Sequence, residues 1–206
     1  MKKLEISDEE GKLLVKDARQ IIEDFVRGIK PKIKYIVNLP LAEKKVGVFV
    51  TLDKLEGSRK ELRGCIGFPF PQKPLKEGLL EAAIAAASED PRFYPVTVDE
   101  LDKILVKVSL LTEPKLLKVN SPLEYPKRIA VGRDGIIVKW TFGSGLLLPE
   151  VAVEFNWDSE EFLTQACIKA GAMPDQWLKK DTEIYTFQTV IFEELEPKGE
   201  VKRRNL

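Results

Sequence analysis

The chain has 206 residues, and its 33 Lys+Arg balance 33 Asp+Glu, so no global field steers it to nucleic acid or an anionic membrane. It holds no histidine, which excludes Ser-His-Asp triads, Cys-His pairs, histidine metal ligands and the H-x-E zinc deaminase signature. Two cysteines cannot build a Cys₄ site, and no run of about 18 apolar residues is present to cross a membrane.

The length fits one domain, alone or with a smaller subdomain. Met1-Lys2-Lys3-Leu4-Glu5 is followed by no apolar run, so a secretory signal is not expected and the protein reads as soluble and cytoplasmic. A charged fraction of 32% with only 2 Cys and 2 Met resembles a thermophile surface.

Ser7-Asp8-Glu9-Glu10 reads as a capping box. Leu14, Ala18, Ile21, Ile22, Phe25 and Ile29 follow as one apolar stripe, which predicts a helix that Pro31 stops near Lys30. Residues 46–52 are β-branched and apolar, a strand pattern, and 54–60 read as a charged hairpin loop. Residues 62–67 are the return strand, paired antiparallel to the first. After the loop Phe68-Pro69-Phe70-Pro71-Gln72-Lys73-Pro74, Leu75–Ser88 is apolar nearly all round, so it is a buried helix packed on that sheet. Pro91 ends it and leaves Glu89-Asp90-Pro91-Arg92-Phe93 as a polar elbow.

Ile104–Leu111 reads as a strand with Lys107 and Ser109 facing outward, and 113–128 is irregular. A turn at Gly132-Arg133-Asp134-Gly135 leads into a strand over 136–142, and Gly143-Ser144-Gly145 reads as another turn. Asp158 and Glu161 start a helix carrying Phe162, Leu163, Ala166, Cys167 and Ala170, which Gly171 ends. Residues 184–192 form a closing strand, and 197–206 a charged, frayed tail. This order favours an α+β fold: an antiparallel or mixed sheet flanked by helices, one domain over 1–196, with a smaller subdomain within about 113–150.

Most motifs have ordinary readings. There is no G-x-G-x-x-G and no P-loop, and without histidine Gly143-Ser144-Gly145 is no nucleophile elbow. Arg63 to Phe68 echoes an RNA-recognition signature, but Cys65 and Gly67 stand where its stacking aromatics belong, so no nucleic-acid partner is expected. Cys167 sits on an apolar helix face and reads as core.

Glu61-Leu62-Arg63-Gly64-Cys65-Ile66-Gly67-Phe68 stands apart. A plain strand needs no glycine, and here Gly64 and Gly67 bracket a thiol. Arg63 and Cys65 share a face in a regular strand, so the guanidinium has the reach to lower the thiol pKa. The plainer reading is a small residue in a tight bulge. Glu89, Asp90 and Arg92 are either a solvated helix end or a site beside Cys65, with Arg92 gripping an anionic group.

With Leu62-Arg63-Gly64-Cys65-Ile66-Gly67 in view, the chain resembles the AMMECR family, named after a human X-chromosomal contiguous-gene-deletion syndrome. The hexapeptide matches without departure. Glu89 to Phe93, Leu147 to Ala152, and the Phe162-Leu163, Cys167 and Lys169-Ala170-Gly171 pattern also match, so the resemblance covers nearly the whole chain. It implies an α+β fold with an antiparallel sheet and a smaller subdomain, and a functional site at Leu62 to Gly67. Members are sometimes fused or genetically linked to Memo-type and radical-SAM proteins, which implies shared redox or modification chemistry. Neither substrate, cofactor nor partner follows from this.

Two functions are carried forward. In a thiol-dependent enzyme or modification factor, Cys65 reacts, Arg63 and Arg92 bind an anionic group, and Asp90 or Glu89 handles protons. In a protein-binding module, the same motif shapes a groove. Leu62, Gly64, Ile66, Gly67, Glu89, Arg92 and Phe93 line the site in either case.

Overall fold

A computed structural model describes residues 4–57 and 59–205; Met1 to Lys3 of the amino terminus, Ser58 of the hairpin loop and Leu206 of the tail lie outside it. The helices are α1 (Asp8–Val26), α2 (Leu75–Ser88), α3 (Tyr125–Arg128), α4 (Pro149–Glu154) and α5 (Ser159–Lys169). The strands are β1 (Gly47–Glu56), β2 (Arg59–Phe68), β3 (Ile104–Leu111), β4 (Lys115–Leu116), β5 (Gly135–Trp140), β6 (Gly143–Leu147), β7 (Glu183–Phe187), β8 (Thr189–Glu194) and β9 (Val201–Arg204). The fold is α+β, with two antiparallel sheets, and the chain divides into two compact units. One comprises residues 4–113 with 190–205, the other 114–189.

In the first unit the Ser7–Glu10 capping box forms as expected. Helix α1 stops at Val26, short of Lys30, because Gly28 turns left-handed at φ 73° and the Ile29 amide bonds back to Asp24 O. A glycine cap ends the helix before the proline acts. Strands β1 and β2 pair antiparallel, as expected, but the hairpin loop is shorter than 54–60. Lys54 faces Glu61 and Glu56 faces Arg59, so the charges that read as loop are opposite-sign cross-strand pairs.

The five-stranded sheet runs β2-β1-β3-β8-β9. Helix α2 buries Leu75, Leu79, Ala82, Ala83 and Ala86 in one core with Val48, Val50, Leu52, Val106, Val108 and Leu110. Lys107 and Ser109 lie, as expected, on the face of β3 opposite Val106, Val108 and Leu110, but both are buried there. The expected tail includes β9, which pairs with β8 from Val201 to Arg204, and Arg203 lies over the Phe192 ring. Arg19 of α1 makes a buried ion pair with Glu194 of β8. The same carboxylate accepts from the Val106 amide at 2.9 Å, and Arg19 also donates to the carbonyls of Leu101 and Ile104.

The second unit is a four-stranded sheet in the order β4-β7-β5-β6 with α3, α4 and α5. It extends well past 113–150, because α5 and β7 complete its core: Ile136, Val138, Phe162, Leu163, Ala166, Cys167 and Ile184 are buried together. Gly143 and Gly145 are in strand β6, not in a turn. A Cβ on Gly145 would stand 2.5 Å from Ala166 O and one on Gly143 2.6 Å from Ala170 O, so both glycines let the strand touch the end of α5. The single closing strand expected over 184–192 is two, β7 and β8, in different sheets.

Candidate functional site

The hexapeptide occupies the end of β2, and its two glycines are required by close approach. A Cβ on Gly64 would lie 2.1 Å from Ala86 O in α2, and one on Gly67 2.3 Å from Val48 O. The register shifts between Leu52, opposite Gly64, and Asp53, opposite Leu62, so Arg63 is the extra residue of a bulge.

That bulge undoes the alternation that would aim Arg63 at the sulfur. Its Nε and Nη2 instead grip both Glu100 oxygens at 2.9 Å each, and its Nη1 donates to Tyr94 O at 2.9 Å. The Arg63 bond holds the Glu100 carboxyl at about 2, against the opposing effect of burial. The expected Arg63–thiol contact is therefore replaced by a clamp on the segment after the elbow.

Cys65 is half-buried. Its amide donates to Asp90 Oδ2 at 2.8 Å, and its Sγ accepts from the Thr51 hydroxyl at 3.2 Å. Asp90 is buried and also accepts from Arg92 Nε at 2.9 Å, Arg92 Nη2 at 2.6 Å and the Arg92 amide at 3.2 Å. The Arg92 bond holds the Asp90 carboxyl at about 2; burial opposes this and the Cys65 amide adds to it. An acid this committed secures the elbow to the strand and is a poor carrier of protons.

Arg92 is half exposed, and its pKa is raised, first by the Asp90 bond and in smaller part by the charge of Cys65. Because its Nε and Nη2 are spent on Asp90, the two-pronged grip expected for an anionic group is turned inward. The Phe93 ring has the Arg63 guanidinium 5.8 Å from its centroid and that of Arg92 at 5.3 Å. Glu89 is exposed at the end of α2. Ile66 packs on the core, and Leu62 is exposed.

Two residues beside the thiol escape sequence reasoning. Thr51 faces Cys65 across β1–β2 and Lys107 across β1–β3, so thiol, hydroxyl and ammonium side chains form one row on the sheet face away from α2. Thr51 and Lys107 are both buried. Only the hairpin register reveals this row.

Cys167 is fully buried, and burial pushes its thiol pKa up. Neither cysteine is in a disulfide. Among the described residues no group of three His, Cys, Asp or Glu is placed to hold a metal ion, and no helix is long and apolar enough to cross a membrane. Beyond the hexapeptide, a pocket of about 340 Å³ is lined by Val46, Val48, Phe68, Pro69, Phe70 and Pro71, with Gln72, Lys73, Gly78 and Glu81 at its margin.

The fold and site define an α+β protein whose edge-strand cysteine is clasped by an arginine–carboxylate elbow. The AMMECR1 family model matches residues 15–192, and the chain belongs to that family. It is 50% identical to a protein of Methanocaldococcus jannaschii over 198 residues, 96% of each chain. It is likewise 50% identical to a protein of Thermococcus onnurineus over 202 residues, 98% of each. The crystal structure of an uncharacterized protein from Pyrococcus horikoshii superposes with a TM-score of 0.91 at 48% identity, covering 98% of this chain and 99% of that one.

Proposed function

We propose that the protein works through the Cys65 thiol, as a thiol-dependent enzyme or modification factor. One observation carries the reading. Arg63, Asp90 and both glycines are spent on structure, whereas the sulfur of the partly buried Cys65 receives a hydroxyl donor from Thr51. A hydrogen bond to the charged form favours a thiolate, the nucleophilic form of cysteine. The exposed carboxylate of Glu89 and solvent remain to take the thiol proton. The exposed side of Arg92 supplies positive charge nearby.

Alkylation with iodoacetamide near neutral pH, followed by peptide mass spectrometry, tests this. Cys65 is modified well before Cys167. Equal, slow labelling of both, complete only after unfolding, would leave Cys65 structural. The second reading, a protein-binding module shaped by the motif, is favoured by the apolar pocket at Phe68 to Pro71.

A further inference from the structure

Strand β2 is the outer strand of its sheet, and an exposed edge is a template for another strand. Most of this edge is blocked. Arg59, Lys60 and Glu61 carry charges, Arg63 sits in the bulge, and the Asp90 carboxylate takes the Cys65 amide at 2.8 Å. In an antiparallel pair, alternate residues turn their N–H and C=O toward the partner strand. Cys65 bonds to Asp90 and so faces away from β1, and Gly67, two residues on, faces the same way. Among the described residues no hydrogen bond within the protein meets the outward groups of Gly67. The edge is thus open at this glycine.

The apolar pocket adjoins the opening. It is bounded by Val48 and Phe68, one strand position from Gly67, and by Gly78 and Glu81 of α2. In a strand added to this edge, the residue opposite Gly67 points to the sheet face away from α2, and its two neighbours point to the α2 face. The pocket lies on that second face, so one such neighbour meets it. Its volume of about 340 Å³ is within the range of ligand sites. The two charges at its margin, Lys73 and Glu81, are bonded to each other at 2.6 and 2.8 Å, so the rim is neutral and suits an uncharged apolar group.

From these features we infer that the β2 edge at Gly67 accepts an extended peptide segment of a partner protein as an added strand, with an apolar side chain in the Phe68–Phe70 pocket. Gly67 supplies one donor and one acceptor to the main chain of the segment, and the pocket supplies side-chain preference. The inference extends the binding-module reading and is independent of the thiol reading.

The test titrates the ¹⁵N-labelled full chain with a capped pentapeptide that has threonine ends and a central valine between two phenylalanines. The expected result is a saturable shift of the Gly67, Phe68, Phe70 and Glu81 amide signals. N-methylation of the central valine removes the donor that would meet Gly67 and weakens binding roughly tenfold, the factor that corresponds to about 1.4 kcal/mol. Absence of a saturable shift overturns the inference. So does equal binding of the methylated peptide, which would mark the pocket as a site for apolar groups without strand pairing. Either failure leaves the thiol reading intact, because that reading rests on alkylation.

Discussion

Replacing Asp90 with asparagine keeps an acceptor for the Cys65 amide but removes the charge that holds Arg92. Asp90 is buried, and its carboxyl is depressed from 3.8 to about 2 in the folded protein. A folded pKa below the unfolded one contributes stability that is fully present above the unfolded value and is lost as pH falls through the folded value. The depression corresponds to roughly 2 kcal/mol at 1.36 kcal/mol per pH unit. Because Arg92 is half exposed, solvent screening reduces this to about 1–2 kcal/mol. Asp90→Asn therefore loses about 1–2 kcal/mol at pH 7, and its deficit shrinks between about pH 4 and pH 2 as the wild-type carboxyl takes up its proton. Urea unfolding followed by circular dichroism at pH 7 and at low pH measures the deficit. Glu100, also held at about 2, titrates in the same window but is common to both proteins and cancels in the difference. A deficit of the same size at both pH values would refute the claim that the Asp90–Arg92 charge pair stabilises the elbow.

Gly64→Ala forces a methyl group to within 2.1 Å of Ala86 O, a backbone atom with little room to move, and is expected to cost about 3 kcal/mol in thermal unfolding; an unchanged melting temperature would contradict the contact. Thr51→Val keeps the shape of a buried side chain but removes the donor to Cys65 Sγ, so alkylation of Cys65 slows roughly fivefold for a hydrogen bond worth about 1 kcal/mol; an unaltered rate in a stopped time course would show that the hydroxyl does not stabilise the thiolate.

Local pattern made the elements legible where one signal dominated. The alanine-rich helix Leu75–Ser88 and the strand Ile104–Leu111 lie where composition puts them. The glycines of the hexapeptide were legible as a departure from a plain strand, but not as contacts with Ala86 O and Val48 O. Errors arose where two chemistries share one residue type. Residues 54–60 read as loop because most are charged, yet Lys54 and Glu56 face Glu61 and Arg59 across a hairpin that turns at Gly57, whose φ is 65°. Had that turn been located, counting back from it would have set Thr51 opposite Gly64, one residue short of Cys65, because the bulge shifts the register. The one-residue bulge at Arg63 was beyond reach, and it decides that the guanidinium meets Glu100 rather than the thiol. Gly143 and Gly145 show the same ambiguity, since glycine serves turns and tight helix contacts alike.

The way the first unit is assembled from the two ends of the chain has a consequence for synthesis. Domains form as units while the chain emerges, usually from the amino terminus onward. Here residues 114–189 are contiguous and can complete their own core as soon as they leave the ribosome, whereas residues 4–113 must wait for 190–205. Until then β3 has no β8 beside it, and Arg19 has no Glu194 to neutralise it. The unit that begins first is finished last, and the nascent chain carries the exposed edge of β3 while residues 112–188 are made, the interval in which a holding chaperone has something to recognise.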